Sequence, residues 1–268
     1  TNRSRVGTGG AGVSRLTYLK QGLLGLVYPP TCGACDIPLT SERQLERPFL
    51  CEDCESTLTA IKDGYCDVCG RGHEPPLMGA FPCSNCKDRD LDFDFAVSAW
   101  RSGGVARELM HRFKYGKQVH LSRLMGSLLS VVWQDKRLHR SRWILVPIPL
   151  HPRRLRERGF NQSREIAVEI LGRAPDGVEL ELMDILKRTR HTKKQAQLDR
   201  SERLRNPSGA FAVKTSRLTK RFKRSEEELN VLLIDDVMTT GSTVSECAAA
   251  LREALEPSWI AAISVLRG

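Results

Sequence analysis

The stretch that decides the fold is Asn230 to Leu251, NVLLIDDVMTTGSTVSECAAAL. Val231 to Ile234 is a short apolar run with β-branched ends, the pattern of a strand buried on both faces. Asp235, Asp236, Val237 and Met238 follow, then the small polar residues Thr239, Thr240, Gly241, Ser242 and Thr243. Apolar positions next recur at Val244, Cys247, Ala248, Leu251 and Leu255, which is helical spacing. A parallel strand in an open α/β sheet ends at the crevice where ligands bind. A helix starting at Ser242 or Thr243 aims free N–H groups and the positive end of its dipole at that crevice. Gly241 lets the backbone approach an anion, and the hydroxyls add donors. The turn is built for a phosphate. Successive strand residues face opposite sides, so Asp235 and Asp236 are no simple carboxylate dyad. They are suited to accepting hydrogen bonds from a sugar diol or to steering a divalent cation.

Two other phosphate motifs fit worse. A Walker A loop needs a lysine before its helix, and this turn has none. A dinucleotide fingerprint places its glycines first and its acid about twenty residues later; here the acids come first.

The 268 residues suit about two domains. The expected division is a disordered start and a capping helix over 1–30, zinc ribbons over 31–95, and an α/β domain over 96–268. The capping helix carries Leu16, Leu19, Leu23, Leu24 and Val27 on one face. With no membrane span and no signal-peptide core, the chain is expected to be cytoplasmic.

Eight of the nine cysteines form four Cys-x-x-Cys pairs: Cys32/Cys35, Cys51/Cys54, Cys66/Cys69 and Cys83/Cys86. This is metal-site usage in a reducing compartment rather than a secreted disulfide framework. Two successive four-cysteine zinc sites fit the spacing, because tetrahedral zinc takes four sulfurs and such modules have little core of their own. Interleaved pairing is the alternative that spacing leaves open. Cys247, on the apolar face of its helix, reads as a core residue.

The net charge of +10 is unevenly spread. Residues 1–95 carry −3 and residues 96–268 carry +13, and Lys187 to Arg224 alone carries +12. A local basic strip implies an anionic partner.

From residue 96 onward strands and helices alternate. Strands are expected at Ala96–Trp100, Ile144–Ile148, near Leu182–Leu186, at Phe211–Val213 and at Ile260–Leu266. Helix faces run through Val105, Leu109, Met110 and Phe113, and through Leu121, Leu124, Met125, Leu128 and Val132. A further helix is expected over about Ser163–Leu171. Such alternation argues a mostly parallel sheet with helices on both faces.

Two basic stretches bear on chemistry. VPIPLHPRRLRERGFNQS, residues 146–163, begins at a strand end and reads as a loop sharing the crevice. Its Arg153, Arg154, Arg156 and Arg158 suit forked contacts to a pyrophosphate, and His151 is a base or a turn residue. KRTRHTKKQAQLDRSERLRNPSGAF, residues 187–211, has little apolar pattern before Leu198. Arg188 to Gln197 is therefore expected to be a mobile arm.

The acid-pair and turn string resembles the signature of type I phosphoribosyltransferases for phosphoribosyl pyrophosphate (PRPP). Together with the Cys-x-x-Cys pairs, HRFKYG at 111–116 and the two basic stretches, the chain resembles the ComF family of competence-associated, phosphoribosyltransferase-like proteins. The resemblance runs from about Leu23 to Arg267. It implies a type I phosphoribosyltransferase-like sheet preceded by a double zinc ribbon with two structural Zn2+ ions. It also implies Mg2+–PRPP, with ribose on Asp235 and Asp236 and the 5′-phosphate on the loop through Val237 and Met238 to Thr243. Pyrophosphate would lie on His151, Arg153, Arg154 and Arg158, under an arm that includes Arg188, Thr189, Arg190, Thr192 and Gln195. The resemblance further implies a role in DNA uptake through single-stranded DNA, with Lys193, Lys194, Lys220, Arg221 and Lys223 offered to phosphates. Competence or helicase proteins are the expected partners. The departure is Lys214–Glu228, longer and more basic than the family pattern. The alternative is an active phosphoribosyltransferase on a small nucleobase or amine, without a DNA role.

Overall fold

The computed structural model describes residues 30–62, 64–72, 83–189, 209–214 and 228–268. The expected capping helix, Arg190, Thr192 and Gln195 of the arm, and Lys193, Lys194, Lys220, Arg221 and Lys223 lie outside the described residues.

Two short helices, α1 (Ser41–Glu46) and α2 (Glu52–Ser56), belong to the cysteine-rich region. The body then runs β1 (Phe95–Arg101), α3 (Gly104–Tyr115), α4 (Ser122–Leu129), β2 (Arg142–Pro147), α5 (Pro152–Arg158), α6 (Gln162–Leu171), β3 (Glu179–Leu182), β4 (Leu186–Arg188) and β5 (Phe211–Val213). It closes with β6 (Asn230–Met238), α7 (Ser242–Leu255) and β7 (Trp259–Arg267). Five strands form one sheet in the order β1-β7-β6-β2-β3, and every pairing within it is parallel. Strands β4 and β5 pair antiparallel in a separate ribbon. The mostly parallel sheet flanked by helices is the expected architecture.

The core divides along strand alternation. Leu145, Leu232, Ile234, Ala261 and Ile263 face one side, where α3, α4 and α6 pack. Ile144, Val146, Val231, Leu233 and Ala262 face the other, against α7 and the β4/β5 ribbon. Both faces are covered, so the strands read as continuous apolar runs. Cys247 is fully buried in the second layer, as expected, and Phe211 is nearly so.

The ribbons are built into this body. Cys32, Cys51 and Cys54 share a core with Leu109 and Leu121, while Cys66, Cys69, Cys83 and Cys86 share the opposite one with Phe93 and Met238. Between them lies β1, whose outer edge is paired: Arg101 N–H donates to Thr59 O, Ile61 N–H to Ala99 O, and Ala96 N–H to Val68 O. Gly70 makes this approach, since a Cβ there would fall 2.6 Å from Ala96 O. The edge is thereby closed to further strand addition.

Three expectations change. Residues 152–158 are helical rather than a loop, because Pro152 starts the first turn, His151 Nδ1 caps it by accepting from Arg153 N–H (3.2 Å), and Gly159 ends it at φ +84°. The weak strand near Leu182–Leu186 is two strands that belong to different sheets. The first residues of the expected arm are ordered, with Arg188 in β4 and Thr189 donating to Ala210 O (2.8 Å) and Gly209 O (3.1 Å).

Candidate functional site

Strand β6 pairs with β2 from Ile144↔Val231 to Pro147↔Ile234, so both end at the same edge of the sheet. From β2 the chain moves outward to β3 on one side, while β6 lies on the other. This is a topological switch point, where parallel sheets open a crevice.

The alternation of β6 separates its two acids. Asp236 is buried on the side of α3, and its Oδ1 lies 2.7 Å from Lys114 Nζ. Asp235 faces the α7 side and accepts the Asp236 N–H (2.9 Å). Burial pushes the Asp235 carboxyl up to about 7; the Asp236 charge adds to this, and Lys114 and Arg188 oppose it. Burial likewise raises Glu246 and lowers Arg188, whose guanidinium is pressed further by Arg154. Arg188 thus feels both Asp235 and Arg154. Helical spacing puts Arg158 on the same side of α5 as Arg154, and it donates to Gln162 Oε1 (2.8 Å) and Tyr115 Oη (3.3 Å). Arg153 points elsewhere, exposed and paired with Glu157 at 3.0 Å. His151 is the cap of α5.

Gly241 is the N-cap of α7 at φ +79°, the left-handed region that favours glycine. Thr240 Oγ1 and Ser242 Oγ lie 2.9 Å apart. The hollow bounded by Asp235 and Val237 to Val244 is about 20 Å3, room for about one water. A cavity of about 680 Å3 lies elsewhere, at the starts of β2, β3 and β6; Glu179 and Glu228 on its wall disfavour a polyanion.

The turn is supported from the second ribbon. Arg89 Nη1 donates to Thr240 O (2.8 Å) and its Nη2 to Ser242 Oγ (3.0 Å), while Asn85 Nδ2 donates to Thr240 O (3.2 Å). Asp92 accepts from Ser245 Oγ (2.7 Å), which receives the Asp92 N–H (3.1 Å). Arg267, buried at the end of β7, donates through Nη1 to Met238 O (2.9 Å), Thr239 O and Gly268 O (3.2 Å). Its Nε reaches Cys69 O and its Nη2 reaches Cys69 Sγ, both at 3.2 Å. Lys114, Arg89, Asn85 and Arg267 escape a reading of the sequence. Lys114 sits inside HRFKYG, but nothing local ties any of the four to the turn.

The cysteines form two sets in sequence order, Cys32/Cys35/Cys51/Cys54 and Cys66/Cys69/Cys83/Cys86, each with all sulfurs within 4.8 Å of one another. Sulfur pairs stand at 3.5 to 3.9 Å, as in Cys35–Cys51 (3.7 Å), Cys66–Cys86 (3.9 Å) and Cys69–Cys83 (3.5 Å). A zinc tetrahedron with Zn–S near 2.3 Å has edges of about 3.8 Å, so both sets fit zinc. Burial alone would raise Cys69, but the Arg267 guanidinium, together with hydrogen bonds from Cys86 and the Arg71 backbone, holds the thiol down at about 7. Cys32 is also held at about 7: backbone N–H groups of Cys51, Cys35 and Ala34 overcome its burial.

Among the described residues no helix is long and apolar enough to cross a membrane. Residues 23–87 match the model of the double zinc ribbon domain. Competence protein F of Haemophilus influenzae is 30% identical over 218 residues, 76% of this chain and 91% of that one. Competence protein ComFC of Bacillus subtilis is 28% identical over 260 residues, covering 91% and 97% of the two chains. The DNA utilization protein YhgH of Escherichia coli K12 is 27% identical over 234 residues, covering 84% and 92%. A hypoxanthine phosphoribosyltransferase from Staphylococcus aureus overlays 57% of this chain and 65% of that one at 14% identity, with a TM-score of 0.30. Two four-cysteine zinc sites set against a parallel sheet, and this similarity over most of the chain, place the protein in the family of competence protein F.

Proposed function

We propose that the chain binds Mg2+–PRPP at the β6–α7 turn and acts in the handling of single-stranded DNA during DNA uptake. The observation that carries the ligand is the turn itself. A fourteen-residue helix, α7, starts at a left-handed glycine beside four hydroxyls, with one carboxylate on each side of the strand before it. The hydroxyls of Thr239, Thr240, Ser242 and Thr243 and the α7 N-terminus would hold the 5′-phosphate. Asp235 and Asp236 would take the ribose diol and help hold Mg2+, which would supply positive charge to the pyrophosphate beside Arg154 and Arg158. Arg153, exposed and paired on the other side of α5, and His151, engaged as its cap, have smaller parts in this reading.

Support for the DNA role comes from relatives named for competence and DNA utilization, and from the basic strip Lys187–Arg224. Competence or helicase proteins would be its partners. The test pairs thermal shift with Mg2+–PRPP and fluorescence anisotropy with a labelled single-stranded oligonucleotide. Asp235→Asn and Asp236→Asn should each weaken the PRPP shift, and unchanged shifts in both would move the ligand elsewhere. Pyrophosphate release over a panel of nucleobases and amines separates binding from transfer.

A further inference from the structure

Three consecutive peptide carbonyls of the turn are held from the second ribbon and the end of β7. Arg267 takes those of Met238 and Thr239, and Arg89 with Asn85 takes that of Thr240. A trans peptide is planar, so the N–H of the next residue points opposite to its carbonyl. Holding these carbonyls to one side turns the N–H groups of Thr239, Thr240 and Gly241 to the other. Successive N–H groups pointing the same way form an anion-binding nest.

Arg267 is 4% exposed, and a buried guanidinium must place its five donors. Nε is placed on Cys69 O and Nη2 on Cys69 Sγ, while Nη1 is shared among Met238 O, Thr239 O and Gly268 O. Two of its five acceptor atoms therefore belong to Cys69, while Asn85 lies between Cys83 and Cys86 and Arg89 three residues after Cys86. Metal binding and folding are coupled in such sites, so the ion fixes the loop that carries Asn85 and Arg89 and the Cys69 atoms that Arg267 grips. Among the described residues no hydrogen bond joins the first site to the turn from Met238 to Ser242; it lies against the other layer of the core, with α3 and α4, and reaches β6 through α3 and the Lys114–Asp236 pair.

We propose that the second cysteine site is the positioning element of the anion turn, with Arg267 and Arg89 as positioning residues, so that zinc there sets the turn's affinity for a phosphate ester. This rests on the reading of the turn as a phosphate site.

The experiment uses the full chain and three measurements: zinc content, calorimetric titration with Mg2+–PRPP, and amide exchange of residues 235–244 relative to β2. Arg267→Lys keeps the charge but loses the fork. It should retain both zinc ions, speed exchange of the turn by about tenfold and weaken Mg2+–PRPP by about tenfold, the effect of a lost charge-assisted hydrogen bond. Cys69→Ser should lose one ion and show the same two changes. Cys35→Ser, in the first site, should also lose one ion while leaving the turn's exchange relative to β2 as in the parent. Parental exchange at the turn in Arg267→Lys overturns the proposal even if Cys69→Ser fails to fold. Equal loosening of the turn by Cys35→Ser and Cys69→Ser overturns it as well. Absence of Mg2+–PRPP binding by the parent would defeat the phosphate reading, while the exchange comparison still decides the positioning one.

Discussion

Lys114 Nζ stands 2.7 Å from Asp236 Oδ1, tying the last turn of α3 to the acid pair of β6. Both side chains are largely buried, at 18% and 11% exposure. Removing one partner of such a pair strands the other charge in a poorly solvated place. Lys114→Met should destabilise the fold by about 1–3 kcal/mol, read by urea denaturation. Asp236→Asn in the same chain should recover part of that loss, and a double-mutant cycle measures the coupling. Strict additivity would show that the pair contributes nothing of its own.

Asp235 gives a pH dependence with two signs. Its folded value, about 7, lies above the ordinary carboxylate value of 3.8. Between these values the unfolded chain releases a proton that the folded one keeps. The ligand-free protein therefore loses stability as pH rises through this window, and Asp235→Asn should flatten that part of a melting-temperature profile. A divalent cation competes with the same proton. Mg2+–PRPP binding should tighten from pH 6 to 8 by up to about tenfold per unit below the midpoint, and titrations at several pH values read it directly.

At Gly241 the backbone is left-handed at φ +79°, and a Cβ would fall 2.9 Å from the Met238 methyl carbon. The methionine tip can move; the backbone angle cannot change without shifting the start of α7. Gly241→Ala should cost about 1–2 kcal/mol of stability. Gly241→Val should in addition abolish the Mg2+–PRPP thermal shift. A parental shift in the valine variant would separate the ligand from this turn.

Metal analysis of protein purified without added zinc should give two equivalents. Cys51→Ser should give one. Because Cys51 shares its core with Leu109 and Leu121, this loss should lower the melting temperature of the whole chain rather than unfold a detached module. Two separate melting transitions in the variant would contradict the shared core.

Single-stranded DNA binding should weaken steeply with salt. Replacing Lys193, Lys194, Lys220, Arg221 and Lys223 with glutamine should reduce the slope of log affinity against log salt by about 3–4, if each residue neutralises one phosphate. Anisotropy across a salt series measures it. An unchanged slope would show the strip to be solvated surface.

The legible parts of this chain are those whose signal is local. The β6–α7 unit declares itself through an apolar run, an acid pair and a glycine before a periodic helix, and its observed start at Ser242 is where the pattern puts it. The cysteine spacing gives zinc but not the pairing, since sequential and interleaved sets both supply four sulfurs; the distances choose the sequential sets. Helix α5 is obscured because PRRLRER has one apolar residue, Leu155, which is itself 42% exposed, so no buried stripe marks it. Its signals were the flanking Pro152 and Gly159. Arg267 is hidden for a different reason. It closes an apolar strand, and its purpose depends on Cys69, which only the folded chain brings near.

The placement of β1 also bears on how the chain assembles. Within the sheet β1 touches only β7, with Phe95 opposite Ala261. The ribosome therefore releases both cysteine sites and β1 long before the strand that joins them to the rest of the sheet. Closing so long a loop is slow. Until Trp259–Arg267 emerges, both β1 and β6 present unpaired edges, a state that invites aggregation. Bound zinc and the antiparallel backbone contacts at residues 59–61 would shelter the N-terminal half during that wait.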